Sequence, residues 1–422
     1  MNDRKSARLA IEGGPKTRTE PWPARRLFGE EEKQAVLTLF DEAIEKGSNV
    51  LGYNGPQEEA YCREFAESLG GGFADGVNSG TNALYVALRA LDIEPFTEVV
   101  VPPITDPGGI MPVVIANCVP VPADSAPGSY NTGAEQIEAR ITERTSAIIV
   151  AHIGGFPADM DPIMDLARPR GIPVIEDCAQ THGAAYKGKP AGSIGDLAVF
   201  STMFGKHHAT AGQGGVLFTK SEDLYWRARR CADRGKPFGP EQGGGGENVL
   251  ASLNFNMDEL HAAIGRVQLR KLPEMIRRRR EIAAAVAEAC RRTLKAVRLA
   301  EDPPDCQGAY ICLYFLLDAD AIRADKETFV RALQAEGIPA TPSYLVIPTR
   351  MPWRRNRAAA ESRGLPWFSP LYKGDPDREY PLPNSEATDA GRFRMDLHEG
   401  WTQREIDDLI AALGKVEAAY GV

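Results

Sequence analysis

The 422-residue chain carries 49 Lys and Arg against 58 Asp and Glu, a formal net charge of −9, with 43% hydrophobic and 25% charged residues. This is the composition of a soluble globular protein with room for two to three domains, and it excludes a mostly disordered or collagen-like chain. The mildly acidic balance offers no global electrostatic reason to hold nucleic acid or an anionic membrane.

The opening MNDRKSARLAIEGGPK lacks the apolar run of a signal peptide, and no apolar stretch is long enough for a membrane helix, so a cytoplasmic location is expected. In chain order, a helix is predicted over 81–91 and apolar strands over 98–102 (EVVVP) and 146–153 (SAIIVAHI). A helix over 163–167 precedes three more strands at 172–179 (IPVIEDCA), 197–201 (LAVFS) and 215–219 (GVLFT). Strands apolar throughout belong to a sheet covered on both faces by helices, so an α/β fold is expected. Gly243 to Gly246 reads as a flexible loop, and residues 257–294 as one long helix interrupted only by Pro273. Its run Arg277 to Arg280 reads as a solvated face. A strand over 310–317, helices over 326–336 and 402–419, and a long surface loop over 353–380 complete a smaller α+β domain. The predicted domains are 1–265 and 266–422.

The cysteines Cys62, Cys118, Cys178, Cys231, Cys290, Cys306 and Cys312 are scattered, odd in number and without a C-x-x-C pair, so neither a disulfide framework nor a zinc site is suggested. His207 and His208 are adjacent but lack a third ligand in sequence, so no metal is expected.

Four segments carry chemistry. In Asn78-Ser79-Gly80-Thr81-Asn82, a glycine and two hydroxyls stand where a helix begins, and its free N–H groups suit a phosphate. A plain helix cap is the bland alternative. In Val174-Ile175-Glu176-Asp177-Cys178-Ala179-Gln180, an apolar strand runs into an acidic pair at its carboxyl end, where open α/β sheets bind ligands. Asp177 could hold a protonated heterocyclic nitrogen, with Gln180 on the same side, or could simply cap a turn. In Phe200-Ser201-Thr202-Met203-Phe204-Gly205-Lys206, a lysine between two apolar strands is a candidate Schiff-base nucleophile, and Ser201 offers a hydroxyl to a phosphate. Asn254-Phe255-Asn256-Met257 is a polar entry to the long helix.

In this order and spacing, the segments resemble the DegT/DnrJ/EryC1/StrS family of sugar aminotransferases. Ser79 to Leu84 match S-G-T-x-A-L, Glu176 to Ala184 match E-D-x-A-Q-x-x-G-A, Phe200 to Lys206 match F-S-x-x-x-x-K, and Asn254 to Leu272 match the N-x-x-M to Q-L stretch. The resemblance implies fold type I, pyridoxal 5′-phosphate (PLP) as cofactor, and a large domain with a mostly parallel sheet between helices. It implies that Lys206 carries PLP and moves the proton, and that Asp177 pairs with the ring nitrogen. Gln180 would meet the ring hydroxyl side, Gly80, Thr81 and Ser201 would hold the phosphate, and Asn254 would reach the partner's cofactor in a homodimer. Glutamate or glutamine would donate an amine, by a ping-pong mechanism, to a keto sugar or keto cyclitol.

Three departures from the pattern stand out. Asp106 follows Thr105 where an aromatic ring stacker is usual, Gln213 replaces a common glutamate in a loop one residue longer than usual, and Asn256 stands in place of an arginine. A PLP-dependent sugar dehydratase and a non-catalytic PLP-binding regulator are the alternatives. The retained Lys206, Asp177, Gln180 and Ser201 favour transamination.

Overall fold

The computed structural model describes residues 8–241, 247–343, 351 and 364–422; the glycine loop 243–246 and residues 353–363 of the expected surface loop lie outside them. Seven strands form one sheet in the order Phe73–Val77, Gly215–Thr219, Leu197–Ser201, Val174–Asp177, Thr145–Ala151, Glu98–Val101 and Val119–Pro122. All run parallel except Gly215–Thr219, which is antiparallel to both neighbours. The interior strands are apolar on both faces because helices cover both. Val99, Val101, Ile149 and Ile175 pack with helix Gly80–Ala90 on one side, and Val100, Ile148, Val150 and Val174 with helix Met160–Ala167 on the other.

A second sheet, antiparallel, runs Val297–Leu299, Cys312–Leu317, Arg392–Asp396 and Ala340–Thr341. Helices Lys326–Ala335 and Gln403–Tyr420 cover it, with Phe315, Phe329, Phe393 and Leu409 buried in its core. The two sheets share helix Glu259–Thr293, 35 residues or about 50 Å long. Ala262, Leu269 and Ile276 of that helix pack into a core beside the large sheet, whereas Ile282, Ala283, Val286 and Cys290 pack into the core of the small one. Pro273 does not end the helix; burial on both sides of it offsets a cost of about 3 kcal/mol.

Two expectations need correction. The basic run is not simply a solvated face: Arg277 pairs with Glu274 and Glu281 at the surface, but Arg279 is 2% exposed and donates to Glu399 and to the Tyr310 carbonyl. Nor are residues 364–380 merely a surface loop, since Trp367 and Tyr372 pack on Val114 and Val119 and the Tyr372 hydroxyl donates to Glu98 at 2.8 Å. Aromatic side chains in a loop bury apolar area as a core strand does. All seven cysteines are free. Among the described residues, no helix is long and apolar enough to cross a membrane.

Candidate active site

The carboxyl ends of the parallel strands open on a cavity of about 230 Å³ that brings Ser79, Gly80, Thr81, Asp106, Asp177, Ser201, Lys206 and Gln213 together. On one wall, Ser79 caps helix Gly80–Ala90 by accepting from the Asn82 N–H at 3.1 Å. Gly80 is required there, because a β-carbon on it would lie 2.7 Å from Cβ of Ser201. That close approach sets the amide end of the helix beside the Ser201 hydroxyl, a cradle for an anionic group.

Asp177 ends strand Val174–Asp177, and its Oδ1 accepts from the Ala179 N–H at 3.0 Å. Burial pushes its carboxyl pKa up, while that N–H and the Lys206 charge pull the other way without cancelling the effect. Its neighbour Glu176 faces the opposite side, accepting from the Gly192, Ile194 and Gly195 amides at 2.9, 2.8 and 2.6 Å and from His152 Nε2 at 3.0 Å. Burial works against its charge, but His152 and those amides outweigh it and hold the pKa below the usual range.

Lys206 lies in the hairpin loop between Leu197–Ser201 and Gly215–Thr219. Thr202 and Thr210 close the loop with a hydroxyl contact of 2.7 Å, and the Lys206 N–H donates to the Met203 carbonyl at 2.9 Å. Burial depresses the Lys206 pKa, with Asp177 and Asp106 opposing. Desolvation frees a lysine amine to act as a nucleophile and proton carrier, and here it prevails over the two carboxylates.

The other expected residues are placed less directly. Gln180 is buried, and its Oε1 accepts from the Gly154 N–H at 2.8 Å. Asn254 is exposed and does not line this chain's own cavity; its Oδ1 accepts from the backbone and side chain of Asn256. Nor does it cap the long helix, because Asp258 does so through the His261 N–H at 2.9 Å. Asp106 does line the cavity, where its Oδ1 accepts from the Gly108 N–H at 2.9 Å and caps a short turn.

The two adjacent histidines face different carbonyls, His207 Nε2 bonding Ala309 O at 3.1 Å and His208 Nε2 bonding Gly265 O at 3.0 Å. Burial pushes the His208 pKa down to about 4 and that of His207 lower than its usual range, so both are neutral structural rings. His152, Glu176 and Cys178 bring ligand-type atoms within 4.8 Å of one another. Both His152 nitrogens are engaged, however, Nδ1 accepting from the Ala158 N–H at 3.0 Å and Nε2 donating to Glu176. That arrangement is a hydrogen-bonded pair.

The residues fit PLP. A glycine cradle that a β-carbon would fill stands at a helix amide end, a carboxylate lies at a strand end, and a partly desolvated lysine faces the same cavity. The pattern of the DegT/DnrJ/EryC1/StrS aminotransferase family matches residues 30–373. The chain is 31% identical over 421 residues, 97% of each sequence, to L-glutamine:2-deoxy-scyllo-inosose aminotransferase of Streptomyces lividus. It is 31% identical over 355 residues to GDP-perosamine synthase of Caulobacter vibrioides, covering 84% of this chain and 88% of that one. Among solved structures, an aminotransferase from Psychrobacter cryohalolentis superposes with a TM-score of 0.80 at 28% identity, covering 96% of this chain and 100% of the other. S. venezuelae DesV gives 0.77 at 26% identity, covering 92% and 95%. The fold is fold type I, and the chain is a PLP-dependent aminotransferase. The chain belongs to the DegT/DnrJ/EryC1/StrS aminotransferase family.

Proposed function

We propose that Lys206 carries PLP and moves the proton at the substrate carbon, and that Asp177 keeps the cofactor's ring nitrogen protonated. In this reading Gly80, Thr81 and Ser201 hold the phosphate and Gln180 meets the ring hydroxyl side. Asn254 reaches the neighbouring subunit's cofactor within a homodimer. The supporting observation is that one cavity is lined by Lys206, Asp177 and the amide end of helix Gly80–Ala90. When bound, PLP supplies an electron sink for the pair released at the substrate carbon. Asp177 opposes loss of the ring-nitrogen proton as that charge develops, and Lys206, its pKa lowered by burial, can accept and return the substrate proton.

The reaction is ping-pong: glutamate or glutamine leaves its amine and departs as a keto acid, and a keto acceptor then takes the amine. A keto cyclitol is the favoured acceptor over a nucleotide-linked keto sugar. Among the described residues, Lys206 is the only cationic side chain lining the cavity, Asp106 adds a negative charge, and Asn256 stands where the resemblance has arginine. An uncharged polyol suits such a wall better than a diphosphate. The test is to incubate the protein with L-glutamine or L-glutamate and either 2-deoxy-scyllo-inosose or a nucleotide-linked keto sugar, detecting amine product by mass. Amination of the cyclitol is expected. Amination of the nucleotide sugar alone would overturn the acceptor preference, and amination of neither would overturn both.

A further inference from the structure

Arg25 lies in the extended segment before helix Glu30–Lys46, 181 residues from Lys206, yet it grips the lysine loop. Its Nη1 donates to the Lys206 carbonyl at 2.5 Å and its Nη2 to the His207 carbonyl at 2.9 Å. Its Nε donates to Oε1 of Glu399 at 2.9 Å. Glu399 follows the last strand of the small sheet, and its Oε2 accepts from both Nε and Nη2 of the buried Arg279 at 3.0 Å. Arg279 belongs to the helix shared by the two cores and also donates to the Tyr310 carbonyl at 2.8 Å. Beside this cluster, His398 Nε2 donates to the Pro23 carbonyl at 2.9 Å, which pins the segment that carries Arg25.

From this geometry we infer that Arg25 is a positioning residue for Lys206, fixing two successive carbonyls of its loop while Glu399 of the C-terminal unit orients the guanidinium. The inference rests on the assignment of Lys206 as the cofactor lysine. The carbonyls of Lys206 and His207 lie beyond the strand ladder, so among the described residues no neighbouring strand sets their direction. A planar fork that bonds both holds the intervening peptide in one orientation, which a point-like ammonium cannot do. The lysine amine sits at the end of four rotatable bonds, so a small tilt of its backbone becomes a displacement at Nζ. A misplacement of about 1 Å in a reacting group can cost on the order of 100-fold in rate. The clasp joins the N-terminal segment, the shared helix and the small sheet to the one loop that must place that amine.

The test uses PLP-loaded Arg25→Met, Arg25→Lys, Glu399→Gln and Lys206→Ala. The readouts are the single-turnover rate with saturating amino donor, its α-deuterium isotope effect, the donor KM and the pH midpoint of the bound cofactor's visible absorbance. Arg25→Met should slow the single turnover by about 10- to 100-fold, raise the isotope effect and shift the pH midpoint. The donor KM should stay within about threefold of wild type. Arg25→Lys, which restores charge but not the fork, should recover only part of the rate, and Glu399→Gln should move the same readouts less far. Wild-type rate, isotope effect and pH midpoint in a folded Arg25→Met would overturn the inference. If that variant does not fold, wild-type values in Glu399→Gln would do so. Persistence of the lysine-bound absorbance in Lys206→Ala would instead overturn the lysine assignment itself.

Discussion

Glu176 and Asp177, consecutive at the end of one strand, face opposite sides of the sheet: Glu176 accepts four hydrogen bonds in the interior, and Asp177 lines the cavity with Lys206. Their amide variants should therefore fail differently. Asp177→Asn should keep PLP and the wild-type melting temperature but lose about 100-fold or more in rate, because a neutral amide does not hold the ring-nitrogen proton. Glu176→Gln turns one acceptor oxygen into a donor facing backbone N–H groups, so it should lose on the order of 2–4 kcal/mol of stability. Equal rates in Asp177→Asn and wild type, measured with saturating donor, would reduce Asp177 to a strand-end cap.

The contact of Gly80 with Ser201 gives a second expectation. A methyl group at Gly80 would meet Cβ of Ser201 at 2.7 Å, whereas one at Gly212, in the lysine loop, would meet nothing within 4 Å. Gly80→Ala should weaken PLP binding by about tenfold or more, since overpacking costs roughly 1–3 kcal/mol. Gly212→Ala should leave it unchanged. Equilibrium titration of stripped protein with PLP compares them.

The pattern of what was legible follows from range. LAVFS and GVLFT coincide with strands Leu197–Ser201 and Gly215–Thr219, and the predicted long helix with Glu259–Thr293, because unbroken apolar runs and helical periodicity are local signals. Strand Phe73–Val77 gives no such run. Its Asp75 is buried only by pairing at 2.6 Å with Arg229, 154 residues away. Helix Glu30–Lys46 is equally silent, burying only Glu32 and Leu39 on this chain. At the site, motif spacing pointed to Ser79, Asp177, Ser201 and Lys206, all of which meet at the cavity. Arg25 had no local signal at all, since everything it does lies across 181 residues or more.

Buried acids beside that same strand make stability depend on pH. Burial, followed by the charge of Asp75, pushes the Glu58 pKa up to about 8, and its side chain is 2% exposed. An acid with a raised folded-state pKa binds its proton more tightly folded than unfolded. Its contribution to stability therefore falls as pH climbs from the ordinary carboxylate range through about 8. Glu58→Gln should match wild type in unfolding free energy near pH 5 and exceed it at pH 9 by on the order of a few kcal/mol. A gap that does not grow with pH would show that Glu58 is ionised throughout.

For the proposed composite site, mixing Lys206→Ala with Asn254→Ala under conditions of proven subunit exchange should restore part of the lost activity. A hybrid dimer would carry both lesions in one site and neither in the other. No recovery, with a strong defect in each parent, would confine Asn254 to its own chain.

The central claim is that Lys206 is the residue bonded to the cofactor. Borohydride reduction of the PLP-loaded protein, followed by digestion and mass spectrometry, locates the phosphopyridoxyl group directly. A single modified peptide with the group on residue 206, absent from Lys206→Ala, is the expected result. A label on another lysine, or no stable label despite bound PLP, would contradict it.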